Sequence, residues 1–358
     1  MALDVDRALT NRSIAYYGLQ FYYPTIGVFP LRSVFENPPH EPTQVVTYEG
    51  RHYRVIVGSC NGLLCLHDVY CDRDGFVRHG AAMLWNPCTG LTSPPLEIEG
   101  TFSICGFGYD HVNDKYKLFC ILEKKSGESV PRIFTFGPNS TWRTMQDFPF
   151  NLDHRKRRVG SLIELVGLFL SGTGTLNWLI YGHFSFVSVI SLDLVTETYN
   201  EFSLPSRDPG DDSYVFPTLG TLRGCLAVCY ETKKTHWTLW LMKEYGVPQS
   251  WTKLAIISRC RSLVGPPSSI ALRPIHMLQN DVLLAIAPCG KFVLFNLNDG
   301  SKYFPNFDSS SDGMTRYRPL SRHKGARVFR VYHETLVSPS HFGLPTCSSE
   351  MRLIKPTR

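Results

Sequence analysis

A chain of 358 residues that is 43% hydrophobic and 19% charged can form one large domain or two ordinary ones, and its composition excludes a disordered chain. Its formal net charge of +6 is thinly spread, which argues against a nucleic-acid binder, and no apolar stretch approaches the roughly 18 residues of a membrane-spanning helix. Eleven cysteines, an odd number with no charged-then-apolar leader at the start, do not read as a disulfide framework. Most of them, such as Cys65 and Cys120, sit inside apolar runs and are expected to be buried reduced thiols, which places the protein in the cytoplasm, the nucleus or both.

Along the chain the elements are short. Residues 13–47 read as strands. Asn61-Gly62 marks a tight hairpin turn, and the leucine-rich run Leu63–Leu66 follows it as a buried strand. Gly174, Arg223-Gly224 and Asn280-Asp281 introduce similar runs. A second element also recurs: an apolar run, then Asn or Asp, then Thr and an aromatic, then often Pro. It occurs around Asn86, Asp193 and Asn296, with two further copies ending in Trp142 and Trp251. Thr92, Trp142, Tyr199, Trp251 and Tyr303 then stand as equivalents, roughly 50 to 57 residues apart, close to the period of a kelch-type propeller blade. Their recurrence at blade period favours packing between blades over a ligand platform. A four-stranded sheet of this kind cannot bury both faces alone, and stacking copies around an axis solves that problem. The expected fold is therefore an all-β propeller with four-stranded, kelch-like blades. Five units are legible between about residues 53 and 306, and residues 13–47 and 328–337 are expected to meet and complete a sixth.

Several stretches resemble the F-box-associated domain of plant F-box proteins. They are Val57–Leu66, the Trp85-Asn86-Pro87 element ending in Thr89, Gly106–Asp110 with Asp114–Lys117, Thr175–Leu179, Leu239–Val247 with Ser250–Leu254, and Tyr332–Pro339. Asn177 stands where that family usually has His. The resemblance implies a propeller domain over residues 28–339, an N-terminal segment 1–27 and a C-terminal tail 340–358. It further implies a target-recognition module of a cullin-based, SCF-type ubiquitin ligase that binds an as yet unidentified target protein. Residues 1–50 show no Leu-Pro-led amphipathic pattern of an F-box, so the ligase adaptor is expected to bind only if an F-box lies upstream. The alternative class is a propeller enzyme, hydrolase-like, using a central pocket.

No nucleophile elbow, zinc-protease motif or phosphate loop is present, and Cys60 within Gly58–Gly62 belongs to a hairpin. The scattered histidines, including His52, His67 and His79, lack metal-ligand spacing. The expectation is a monomeric, non-catalytic binding protein with no cofactor, no metal, no membrane attachment and no nucleic-acid partner. Binding is expected at irregular loops on one rim, namely residues 68–80, 151–158, 206–214 and 309–325. Candidate contact residues are Asp72, Arg73, Arg155, Arg157, Arg158, Asp208, Asp211 and Asp212, joined by the exposed turn Lys243-Glu244-Tyr245. The basic run His154–Arg158 is read as a solvated loop rather than a localisation signal.

Overall fold

The computed structural model describes residues 12–20, 23–32, 44–47, 52–71, 77–98, 101–123, 128–149 save 139 and 147, 166–181, 187–206, 217–259, 263, 271–305 save 290, and 328–339. These residues form strands β1 (Arg12–Gln20), β2 (Tyr23–Pro30), β3 (Gln44–Thr47), β4 (His52–Cys60), β5 (Leu63–Cys71), β6 (Val77–Trp85), β7 (Leu96–Ile98), β8 (Thr101–Asp110), β9 (Lys115–Glu123), β10 (Ser129–Thr135), β11 (Trp142–Thr144) and β12 (Leu168–Leu170). They continue with β13 (Thr175–Tyr181), β14 (Val187–Asp193), β15 (Tyr199–Ser203), β16 (Thr218–Leu222), β17 (Cys225–Thr232), β18 (His236–Met242), β19 (Trp251–Ser258), β20 (Arg273–Met277), β21 (Val282–Ile286), β22 (Phe292–Asn296), β23 (Lys302–Tyr303) and β24 (Val328–His333).

The strands pair antiparallel into six four-stranded blades, so the chain is a six-bladed β-propeller as its repeats imply. Blades I to V are β4–β7, β8–β11, β12–β15, β16–β19 and β20–β23. Blade VI joins the two ends of the chain: β24 is its inner strand, and β1, β2 and β3 complete it outward, with Ile14 opposite Val331. The first strand starts at Arg12, ahead of the boundary drawn at residue 28.

The middle strands are apolar nearly throughout because both of their faces are buried. Successive side chains point to opposite faces, so each such strand supplies two cores at once. On β5, Leu63 and Cys65 pack toward blade II, while Leu64 and Leu66 pack toward blade VI. On β22, Val293 and Phe295 meet blade IV, while Phe292 and Leu294 meet blade VI. Six clusters result, each spanning two adjacent blades, and together they close the ring.

Four of the five repeat residues occupy corresponding places; in blade V the matching place is taken by Lys302, opposite Phe295, and Tyr303 stands one residue further on. Trp142, Tyr199 and Trp251 each open the outer strand of their blade, opposite Phe134, Leu192 and Met242, and Tyr303 lies opposite Leu294. Thr92 makes the matching bridge to Trp85. Their packing differs: Trp251 is buried, whereas Tyr303 keeps 43% of its surface exposed. The recurring Asn or Asp is a turn residue. The side-chain oxygens of Asn86, Asp193 and Asn296 accept from the amides of Cys88, Val195 and Asn298 at 2.8, 2.7 and 3.0 Å.

One expectation needs correcting. The interval 68–80 is mostly not an irregular loop, because β5 runs to Cys71 and β6 begins at Val77. Cys60, Cys65, Cys88, Cys105, Cys120, Cys225, Cys229 and Cys289 are free, and of these Cys60, Cys65, Cys105, Cys120 and Cys229 are buried.

Candidate partner-binding site

The inner strands run parallel to one another, as the parallel bridge between Cys105 and Val166 shows for blades II and III. Antiparallel pairing within each blade then sends two kinds of turn to one rim: those joining the first strand to the second, and those joining the third to the fourth. The remaining connections leave from the opposite rim. Asp72, Arg73, Arg155, Arg157, Arg158, Asp208, Asp211 and Asp212 lie outside the described residues, and the strands bordering them end or begin at this connection rim. Lys243, Glu244 and Tyr245 follow β18 and belong to the turn rim.

Within the turn, Lys243 and Glu244 are exposed, whereas Tyr245 is a joint between blades. Its hydroxyl donates to Asn177 Oδ1 at 2.7 Å, which leaves the Ser191 hydroxyl to donate to Tyr245. Burial pushes the phenol upward, and hydrogen bonds from Ser191 and its neighbours pull it back only in part. Tyr245→Phe strands the buried Asn177 carbonyl, and chemical denaturation should show a loss of about 1–3 kcal/mol.

The other motifs interlock in the same way. Asn86 Nδ2 donates to the carbonyls of Thr335 and Val337 at 2.9 and 2.7 Å, so the segment after β24 is strapped across blade I. Thr335 Oγ1 donates to the Asn61 carbonyl at 2.9 Å. Gly62, at φ +80°, leaves room for that threonine, since a Cβ there would meet its hydroxyl. Trp178 Nε1 donates to the Cys105 carbonyl at 3.0 Å.

At the seam of blades II and III a buried ion cluster pins the turn after β14. Lys117 Nζ lies 2.8 Å from Asp110 Oδ2 and 2.9 Å from Glu197 Oε1, and it also donates to the Leu194 carbonyl. Arg143 grips both Glu197 oxygens at 2.5 and 2.6 Å. Burial pushes both carboxyls up, but hydrogen bonds to Asp110 from Lys117 and Asn113, and to Glu197 from Lys117 and Arg143, hold each below the usual carboxylate range.

What the turn rim offers a partner is mixed. Val112 and Leu336 stand 65% and 84% exposed, among the exposed side chains of His111, Asp114, Arg223 and Glu334. Nothing in the sequence distinguished these two apolar residues from core positions. An open cavity of about 300 Å³ lies between Lys115, Phe136, Thr141 and Arg143, and its arginine is already engaged by Glu197. In the register of blade I, His52 and His79 stand opposite Tyr70 on the two neighbouring strands, and His67 stands between Val55 and Ala82. Among the described residues, no three His, Cys, Asp or Glu side chains are grouped to hold a metal ion. No helix of the described residues is long and apolar enough to cross a membrane.

A ring of six interlocked four-stranded blades defines an all-β propeller. The family described as the F-box associated beta propeller domain matches residues 30–272, and the chain belongs to it. An F-box/kelch-repeat protein of Arabidopsis thaliana is 30% identical over 298 residues, covering 81% of this chain and 71% of that protein. The F-box protein CPR1 of the same plant is 24% identical over 220 residues, covering 58% of this chain and 53% of its own length. The chain thus spans about half to two thirds or slightly more of such relatives. A solved structure of TolB from Acinetobacter baumannii aligns with 81% of this chain and 64% of its own at 12% identity and a TM-score of 0.40, a likeness too low to carry any argument.

Proposed function

We propose that this chain is the target-recognition module of a cullin-based, SCF-type ubiquitin ligase: a non-catalytic, monomeric subunit that holds a protein for modification in the cytoplasm or nucleus. The observation that carries the reading is the interlocking of the family's motifs within a closed six-bladed ring. Asn61, Asn86, Asn177, Tyr245 and Thr335 meet partners from other motifs, and Trp178 reaches Cys105, the residue just before the Gly106–Asp110 element. Relatives named as F-box proteins supply the ligase context. Adaptor binding in this reading belongs to the helices of an F-box, which the strands and turns of the propeller do not replace. Target contact falls to the exposed turns and connections, because the motif residues are occupied in holding blades together.

The test is a comparison of two proteins in plant cells: this chain alone, and this chain joined behind an F-box. Proteins captured by the purified propeller are identified, and their half-lives are followed. The F-box-bearing form should co-precipitate the adaptor and shorten the half-life of a captured protein. The chain alone should capture the same protein without the adaptor and lengthen its half-life by competition. Unchanged half-lives with both forms would defeat the proposal, as would robust adaptor binding by the chain alone.

A further inference from the structure

We infer that β19, the outer strand of blade IV, is a strand-addition site for an extended segment of a partner protein, with an apolar side chain of that segment against Ile256 and a carboxylate beside Lys253. The outer strands of the other blades are short: β3 has four residues, β7 three, β11 three, β15 five and β23 two. β19 has eight. It is the last strand of its sheet, and among the described residues no strand pairs with its outer side. An edge of this length presents a row of backbone donors and acceptors, and proteins ordinarily blunt such edges by shortening them, by placing charge or proline on them, or by a bulge; β19 is guarded only by one lysine and one bulge. Between Trp251 and Ser258 there is no proline and a single charged residue, Lys253.

The side chains favour a specific occupant. A register shift opposite Leu239 and Trp240 pairs Lys253 with Trp240 and Ala255 with Leu239, so Leu254 is the extra residue of a bulge. Ile256 pairs with Thr238, which lies on the same face of β18 as Trp240, so Lys253 and Ile256 share one face. Ile256 keeps 60% of its surface exposed there, and the Lys253 ammonium lies 5.1 Å from the Trp240 ring centroid. An apolar site beside a cation calls for an apolar residue and an acidic one on the added strand, in the manner of cross-strand pairs. A second copy of the chain fits less well, since it would bring another lysine and another bulge to the same edge. The ladder has a defined end, because the Ser258 carbonyl already accepts from Lys302 Nζ of blade V at 2.8 Å. This surface lies on the flank of the ring rather than on a rim, and the inference does not depend on the ligase reading.

The purified chain is applied to an array of octapeptides in which Val or Thr alternates with randomised positions, and bound peptides are measured in solution by fluorescence anisotropy. Bound peptides should carry acidic residues. Ile256→Lys should weaken them at least tenfold, and so should methylation of alternate peptide backbone nitrogens. Lys253→Glu should lose the acidic peptides and gain lysine-bearing ones. Both substitutions are at exposed positions, and an unchanged melting temperature confirms that the fold is kept. The proposal is overturned if no peptide binds, or if binding ignores both Ile256→Lys and backbone methylation. It is equally overturned if sedimentation shows a dimer that Ile256→Lys dissociates, which would assign the edge to self-pairing.

Discussion

Lys117→Met should destabilise the propeller by about 3–5 kcal/mol in chemical denaturation at neutral pH, the cost of breaking a buried ion pair from one side. Asp110 is fully buried, and Lys117 is nearly so. Without the ammonium, Asp110 keeps only its neutral partners, the Asn113 side chain and the amides of Val112 and Asn113. Glu197 keeps Arg143, whose side chain is 59% exposed and therefore screened by solvent. The pH dependence separates this mechanism from simple loss of packing. Both carboxyls have folded-state values below their ordinary ones, so their contribution is present above the unfolded carboxylate range near pH 4 and is lost as pH falls through the folded values. In Lys117→Met the carboxyls protonate more readily, so the gap between variant and wild type should narrow as the solution is acidified. A gap of constant size from pH 7 to pH 3 would assign the loss to packing. Combining Lys117→Met with Asp110→Asn and Glu197→Gln should recover much of the loss, because no buried charge is then left unpaired.

The blades were legible in the sequence because strand chemistry is local. Alternation, leucine-rich runs and turn residues lie within a few positions of one another, and the positive φ of Asn61 and Gly62, 49° and 80°, is what an Asn-Gly pair announces. Closure of the ring by both ends was legible for the same reason, once five repeats had been counted and two strand-like segments were left over. The joints between motifs were not legible. Tyr245 and Asn177 stand 68 positions apart, and Asn86 and Thr335 stand 249 apart, so no spacing rule links them. The interval 68–80 was misread because its polar residues resemble a loop. Asp68 is in fact buried within β5, between Arg54 and Ala81 in register. The contact surface was the least legible of all. Exposed turns carry no periodic signal, and Val112 and Leu336 look like core residues until the fold shows them facing solvent.

Trp178→Ala should cost about 3–5 kcal/mol, as expected for truncating a buried tryptophan. Trp178 is 1% exposed, its ring lies 5.3 Å from that of Phe119, and its indole N–H is satisfied by the Cys105 carbonyl. Size alone would predict a large loss at any buried tryptophan, so the informative measurement is its coupling to Gly167. That glycine donates its amide to the same Cys105 carbonyl, and the Trp178 indole lies directly against its Cα. A Cβ at residue 167 would lie 2.6–2.8 Å from three indole atoms, closer than packed atoms approach. Gly167→Ala alone should therefore destabilise by about 1–3 kcal/mol through overpacking. In the Trp178→Ala background the obstructing ring is gone, and the same substitution should become neutral or mildly stabilising as the methyl enters the vacated space. A double-mutant cycle by urea denaturation should return a coupling of about 1–3 kcal/mol, where independent sites would simply add. Additivity within about 0.5 kcal/mol would mean that the indole does not occupy the space above Gly167.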